Sequence, residues 1–86
     1  MNHNNIEAEI KKLGNLFIGR LDRNILEDAI EYVDFNECSL AIETLCDQLY
    51  EYDVNLNCYE FNQIKELAEK VAADIKKVEY LKSLIK

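Results

Sequence analysis

The residues best suited to chemistry are a short polar run, three cysteines and a large number of carboxylates. The run Asp53-x-Asn55-x-Asn57 has the spacing of the first ligands of an EF-hand calcium loop. The second half of such a loop is missing, because Cys58 stands where glycine is needed and Ile64 where a bidentate glutamate is needed. We therefore predict that the protein has no metal site.

Catalysis has little support in the sequence. The single histidine, His3, lies in a polar N-terminal segment without a nearby partner, and no glycine-rich loop is present to bind phosphate. Carboxylates are numerous, but no pattern selects a buried or oriented pair for acid–base work. We predict that the protein is not an enzyme and needs no cofactor.

The three cysteines favour a reducing compartment. Cys38 and Cys46 fall on one predicted helix about 12 Å apart, which is too far for a disulfide, although Cys58 could reach either across a helix pair. The N-terminus has no basic segment followed by an apolar run, and no stretch is long enough to span a bilayer. We expect a cytoplasmic protein with three reduced, mostly buried thiols.

Apolar residues recur at helical spacing throughout the chain, which predicts an all-α fold. The chain has 86 residues, no proline and two glycines, so we expect one domain over residues 1–86 and exclude a turn-rich β-sandwich. Short connections make neighbouring helices antiparallel, which predicts a compact bundle of about four helices. Residues 1–4 are expected to form a flexible tail.

Capping residues and breaks place the boundaries of the first three helices. Gly19 is predicted to end the first helix, because glycine adopts the left-handed conformation without strain. Asp22 is predicted to cap the second helix, and residues 34–36 interrupt the pattern before the third.

The fourth helix has a clear start signal, and its end has two alternatives. Asn57 followed by Glu60 resembles a capping box. The apolar repeat beyond it consists of Phe61, Ile64, Ala68, Val71, Ile75 and Val78. This helix extends to about residue 84, or it breaks near residues 72–74. The repeat is also compatible with a homodimeric coiled coil and thus an adaptor or structural protein, but a packed core face is the preferred interpretation.

Negative charge is concentrated in the middle of the chain. The net charge is −7, and residues 24–64 contain ten acids and no lysine or arginine, between flanks that are net basic. Nucleic acid and anionic membranes repel such a surface, so we predict neither as a partner. The same charge argues against a helix-turn-helix regulator. A solvated face is the simpler alternative, but a strongly basic protein is the partner that we favour.

Helical geometry gathers the candidate partner-binding residues on two helices. Those on the third helix and the loop after it are Glu43, Asp47, Tyr50, Glu51 and Asp53. A second ring on and after the second helix consists of Glu27, Glu31 and Asp34. Acids four residues apart on these helices repel one another, and we predict that no lysine compensates their charge. Their removal is therefore expected to leave the free protein as stable or slightly more stable. Tyr50 is predicted to face outward and Tyr52 to face the core.

Two motifs also carry a family resemblance. They are Gly19-Arg20-Leu21 and the segment from Leu40 to Asp53, whose most specific part is residues 45–53. With Glu37 between them, they resemble the MafI-type immunity proteins over about residues 10–71, although Asn36 replaces a glycine expected before Glu37. The resemblance implies an all-α cytoplasmic antitoxin, encoded beside a secreted polymorphic or contact-dependent inhibition toxin.

The family also implies the mode of action. Such an immunity protein binds and blocks the C-terminal domain of its cognate toxin, often a nuclease. We expect that domain to be basic, with an RNase as the preferred kind, and to be bound by a monomer in a one-to-one complex.

Overall fold

The computed structural model of this chain describes residues 3–85 and confirms the all-α fold class. It has five α-helices in place of the predicted four, with no β-strand among residues 3–85. The α-helices are α1 (His3–Asn15), α2 (Arg23–Glu31), α3 (Cys38–Glu51), α4 (Cys58–Lys70) and α5 (Ile75–Tyr80), and two 3₁₀ turns span Tyr32–Phe35 and Leu81–Leu84. Of the predicted tail, residues 1 and 2 lie outside the described residues, and the backbone of residues 3 and 4 belongs to α1.

Helix α3 is the centre of the bundle. It packs against α1, α2, α4 and α5, and its inward side chains Ile42, Leu45 and Leu49 are completely buried. Leu40 is also apolar, but it is exposed. The reason is geometric, because Leu40 lies seven residues before Asp47 and therefore shares its helical face. The outer face of α3 thus carries the acids, as its sequence indicated.

The connection between α1 and α2 differs from the prediction at its start. Helix α1 ends at Asn15, four residues before Gly19, so the prediction that Gly19 ends this helix is wrong. A hydrogen-bonded turn intervenes, in which the Arg20 N–H donates to the Phe17 carbonyl at 2.9 Å. Gly19 lies in this turn with φ +91°, a conformation that favours glycine. Asp22 then caps α2 through its carboxylate, as predicted.

Three helical segments end in the same backbone geometry. A non-glycine residue with positive φ follows each of them, and these residues are Asn36, Asp53 and Ala72. In each case the next N–H donates to the carbonyl five residues earlier, at 2.9 to 3.1 Å. This is the Schellman motif, which satisfies carbonyls that the helix leaves without partners.

The third of these motifs separates α4 from α5. Helix α4 ends at Lys70 and Asp74 caps α5, so the extension to residue 84 is wrong and the alternative, a break near residues 72–74, is confirmed. The predicted capping box of Asn57 and Glu60 opens α4. After α5, the second 3₁₀ turn is held in place because the Leu56 N–H donates to the Leu84 carbonyl at 2.9 Å.

The apolar repeat of α4 and α5 packs inside the chain. Four of its six residues are buried in the common core, namely Phe61, Ile64, Ala68 and Val78. Val71 is half-buried against this core, and Ile75 is exposed. The break between the two helices interrupts the face that a coiled-coil partner would need. The preferred interpretation of this repeat as a core face is therefore confirmed.

Replacing Ala72 with glycine is expected to stabilise the protein by about 0.5–1 kcal/mol. Ala72 is exposed with φ 58°, and this left-handed conformation costs an L-residue about 1–2 kcal/mol. Glycine avoids that cost, but its greater conformational freedom in the unfolded chain offsets part of the gain in stability. Urea unfolding measures the difference. The control is Ala73→Gly, where φ is not positive and the same exchange should destabilise. Equal effects at both positions would contradict the prediction.

Candidate partner-binding surface

The structure places the eight candidate residues at the surface in two sets. One set lies on α3 and the turn after it, and consists of Glu43, Asp47, Tyr50, Glu51 and Asp53. The other set lies on α2 and the first 3₁₀ turn, and consists of Glu27, Glu31 and Asp34. All are exposed except Glu43, which is half-buried. The first set borders α5, whereas the second borders α1.

Helix α5 supplies positive charge to the first set. The Lys77 ammonium donates to both carboxylate oxygens of Asp47, at 2.9 Å each. Glu43, one turn earlier on α3, accepts a hydrogen bond from the backbone N–H of Asp74 at 2.9 Å. The hydrogen bond to Asp47 is the main cause that raises the pKa of Lys77, with help from the charges of Asp47, Glu43 and Asp74. The prediction that these acids lack a compensating lysine is therefore wrong for Asp47.

Two tyrosines extend the contact between α3 and α5. The rings of Tyr50 on α3 and Tyr80 on α5 pack with centroids 5.6 Å apart, and both side chains remain more than half exposed. Tyr50 thus faces outward as predicted. We call the surface formed by Glu43, Asp47, Tyr50, Lys77 and Tyr80 the α3–α5 seam.

Tyr52 faces solvent rather than the core, so that prediction is wrong. Its spacing from Leu45 and Leu49 would place it inward on a continuing helix, but α3 ends at Glu51. The left-handed turn that follows redirects the chain, and Val54 takes the buried position instead. Tyr52 is left 55 % exposed beside the acids of the turn.

Glu51 and Asp53 are the least constrained carboxylates of the first set. Both are exposed, and neither forms a salt bridge or a side-chain hydrogen bond with any other residue in the described part of the chain. Asp53 contributes to the fold only through its left-handed backbone. These two carboxylates are therefore available to a partner without loss of an internal contact.

The second set lines a groove of about 580 Å³ between α1 and α2. Lys11 donates to Asp34 and Arg23 lies beside Glu27, each pair at 3.3 Å. Glu31 lines the same groove and forms no salt bridge with the described residues. This set is thus partly neutralised, and both pairs are exposed enough that each contributes little to stability.

Gly14 explains how α1 approaches α2 beneath this groove. A Cβ atom at position 14 would lie 2.9 Å from the side chain of Ile30, which is closer than two carbon atoms normally approach. The glycine therefore permits close packing of the two helices, and this packing brings the α1 side chains to the rim of the groove.

A partly buried ion pair between Arg20 and Glu60 fixes the turn before α2 to the start of α4. The Arg20 guanidinium donates to both carboxylate oxygens of Glu60 and to the carbonyls of Asn55 and Leu16, the last at 2.7 Å. It also stacks over the ring of Phe17 at 4.8 Å. The hydrogen bond from Arg20 is the main cause that lowers the pKa of Glu60. Glu60 is the one buried charged residue among those described.

Lys77, Tyr80 and the Arg20–Glu60 pair were not predicted from the sequence. Each contact joins residues 30 or more positions apart in the chain, and no local spacing indicates such a contact. For Arg20, a weak signal was present, because the residue belongs to a motif that carries the family resemblance.

The cysteines and possible metal ligands give no second site. All three cysteines are free; Cys46 is buried, Cys38 is half-buried, and Cys58 is exposed against expectation because it begins α4 at the surface. Burial raises the pKa of Cys46 to about 12, so its thiol stays protonated. Within residues 3–85, no group of three His, Cys, Asp or Glu side chains is arranged to hold a metal ion. None of the described helices is both long and apolar enough to cross a membrane.

No protein-family model, curated protein or solved structure matches this chain.

Asp47→Asn is expected to lower the melting temperature, which is the opposite of the sign that the sequence pattern predicts. The exchange removes the negative charge that pairs with Lys77 and one of its two acceptor oxygens, and this loss outweighs the relief of repulsion from neighbouring acids. The matched control is Glu51→Gln, which removes the same charge without an internal contact and should leave the melting temperature unchanged or slightly higher. An increase for both variants in thermal circular dichroism would contradict the structural role of Asp47.

Proposed function

We propose that this protein is an immunity protein that binds and neutralises the C-terminal domain of a cognate secreted toxin. The toxin domain is basic and is a nuclease, of which an RNase is the preferred kind. The protein acts in the cytoplasm as a monomer in a one-to-one complex, without enzymatic activity, metal or cofactor.

The observation that supports this proposal most is the number of unneutralised carboxylates. Of the ten acids in residues 24–64, four form salt bridges with lysine or arginine. The six others, which form none with the described residues, are Asp28, Glu31, Glu37, Glu43, Glu51 and Asp53. A surface of this kind repels itself and is stabilised by a positive partner, whose association it also accelerates.

A nuclease is the class of basic partner that fits such a surface. A nuclease must attract phosphate, so its substrate groove is lined with lysine and arginine. Helices with exposed carboxylates can occupy that groove as nucleic acid would. The resemblance to MafI-type immunity proteins supports the same partner class independently of the charge argument.

The residues that carry the resemblance have different roles in this fold. Arg20 holds two elements together through Glu60, so its role is structural. Asp47, Tyr50 and Glu51 lie at the surface of α3, where they are available to a partner. The proposed interface is therefore built from the second motif rather than from the first.

The proposal is tested with the toxin encoded beside this chain. Co-expression should rescue cells from its C-terminal domain, and the two purified domains should form a one-to-one complex by light scattering. An unrelated basic nuclease toxin is the control and should remain toxic. If the purified protein does not bind the neighbouring toxin domain at micromolar concentration, the proposal is wrong.

A further inference from the structure

The α3–α5 seam contains a positive group of the protein itself. The Lys77 ammonium lies 2.9 Å from each oxygen of Asp47, so both oxygens of this carboxylate point at one positive group. The pair is open to solvent, because the Asp47 side chain is 52 % exposed and that of Lys77 is 33 % exposed. A competing cation can therefore reach Asp47 without any rearrangement of the backbone.

The exposed rings beside this ion pair add a second feature that attracts cations. Tyr50 follows Asp47 by three residues on α3, and Tyr80 follows Lys77 by three residues on α5, so each ring lies next to one member of the pair. The two rings contact each other with an interplanar angle of 35°. Each leaves more than half of its side chain uncovered, and aromatic faces attract guanidinium and ammonium groups.

We infer that the α3–α5 seam binds an arginine side chain of a partner protein, and that Lys77 is the internal occupant that this arginine displaces. A guanidinium donates two parallel hydrogen bonds from two nitrogens to a carboxylate and stacks flat on an aromatic ring, whereas an ammonium offers a single nitrogen and has no planar face. Glu43 and Glu51 lie one turn to either side of Asp47 on α3 and add to the negative potential. The inference relies on the proposed function for the partner's identity, but not for the chemistry of the seam.

The first test uses a peptide of nine arginines as the probe and compares two lysine variants. In 0.15 M salt, Lys77→Gln should bind the peptide about fivefold more tightly than the parent protein, because two unit charges about 4 Å apart in water change an equilibrium constant by roughly that factor. Lys76→Gln is the matched control, since it removes the same charge from the adjacent residue, which forms no salt bridge among the described residues. It should have a smaller effect, because Lys77 and not Lys76 donates to the Asp47 carboxylate that the arginine would occupy.

The second test examines the rings. Tyr50→Leu and Tyr80→Leu should each weaken binding of the arginine peptide by about twofold to fivefold, and should change binding of a nine-lysine peptide less. Nuclear magnetic resonance should show shifts of both tyrosine rings and of the Lys77 side chain on addition of the arginine peptide. Circular dichroism checks that each variant is folded.

These tests separate the inference from the proposed function. Equal gains for Lys77→Gln and Lys76→Gln, or equal binding of the two peptides in the parent and in both leucine variants, would overturn the inference. If the arginine peptide shifts the seam but the neighbouring toxin domain does not bind, the inference stands and the proposed function fails. If the toxin domain binds with equal affinity to the parent, Lys77→Gln and Tyr80→Leu, the proposed function stands and the inference fails.

Discussion

Replacing Arg20 with methionine is expected to lower the free energy of unfolding by about 2–3 kcal/mol. The exchange keeps an unbranched side chain over Phe17 but removes the hydrogen bonds that Arg20 donates to Glu60, whose side chain is only 8 % exposed. Breaking a buried pair by removing one partner costs about 3–5 kcal/mol, and we reduce that value because the Arg20 side chain is 38 % exposed. Urea unfolding at pH 7 measures the loss.

The matched control is Arg23→Met, which removes the same charge three residues later. Arg23 is almost fully exposed and pairs with Glu27 within one helix, so we expect a change of at most about 0.5 kcal/mol. The double variant Arg20→Met/Glu60→Gln should recover part of the loss, because glutamine still accepts the capping hydrogen bond from Asn57 and leaves no buried charge. Equal losses for the two arginine variants would contradict this account.

The same pair makes stability depend on pH in a defined direction. Hydrogen bonds from Arg20 and from the Asn57 N–H lower the pKa of Glu60 in the folded protein. A lowered pKa contributes stability that is complete above the unfolded value of about 4.5 and is lost as the pH falls through the folded value. In Arg20→Met the main cause of the lowered pKa is gone. The decrease in the free energy of unfolding that Glu60 contributes on acidification should therefore be smaller in this variant.

The parts of the fold that the sequence predicted are those determined by neighbouring residues. The Asn57–Glu60 capping box and the Asp22 cap depend on residues two or three positions apart, and both are present. The end of α4 was ambiguous because an alanine, Ala72, occupies the left-handed position where glycine or asparagine is the usual signal. Sequence patterns therefore located helix starts better than helix ends.

The parts that the sequence did not predict depend on contacts between distant segments. The acids of α3 were recognised from helical spacing, but the charge of Asp47 is paired by Lys77, which lies 30 residues away and comes from a helix that follows the break. Tyr52 was misplaced for a different reason, since the helical pattern was extended one residue beyond the end of α3. The composition of the candidate surface was thus predictable, and its internal neutralisation was not.

The double variant Glu51→Gln/Asp53→Asn is expected to weaken toxin binding by about 2–5 kcal/mol, which is at least a 30-fold increase in Kd. Both carboxylates are exposed and without salt bridges among the described residues, so a toxin lysine or arginine desolvated against them would lose its partner. The loss should appear mainly as faster dissociation in surface plasmon resonance. Asparagine is chosen at position 53 because it tolerates the left-handed backbone there.

Stability provides the readout that separates binding from folding. The double variant should keep its melting temperature or raise it slightly, because it removes like charges and no internal side-chain contact. The control variant Glu66→Gln/Glu69→Gln removes two exposed charges from α4 and should change Kd far less, through long-range attraction alone. A lower melting temperature with unchanged affinity of the folded molecules, or equal losses of affinity in both variants, would place the toxin contact elsewhere. Because Glu43 and Asp47 hold α5 as well as carrying charge, substitutions there change folding and binding together, and only Glu51 and Asp53 isolate the contribution of the surface charge.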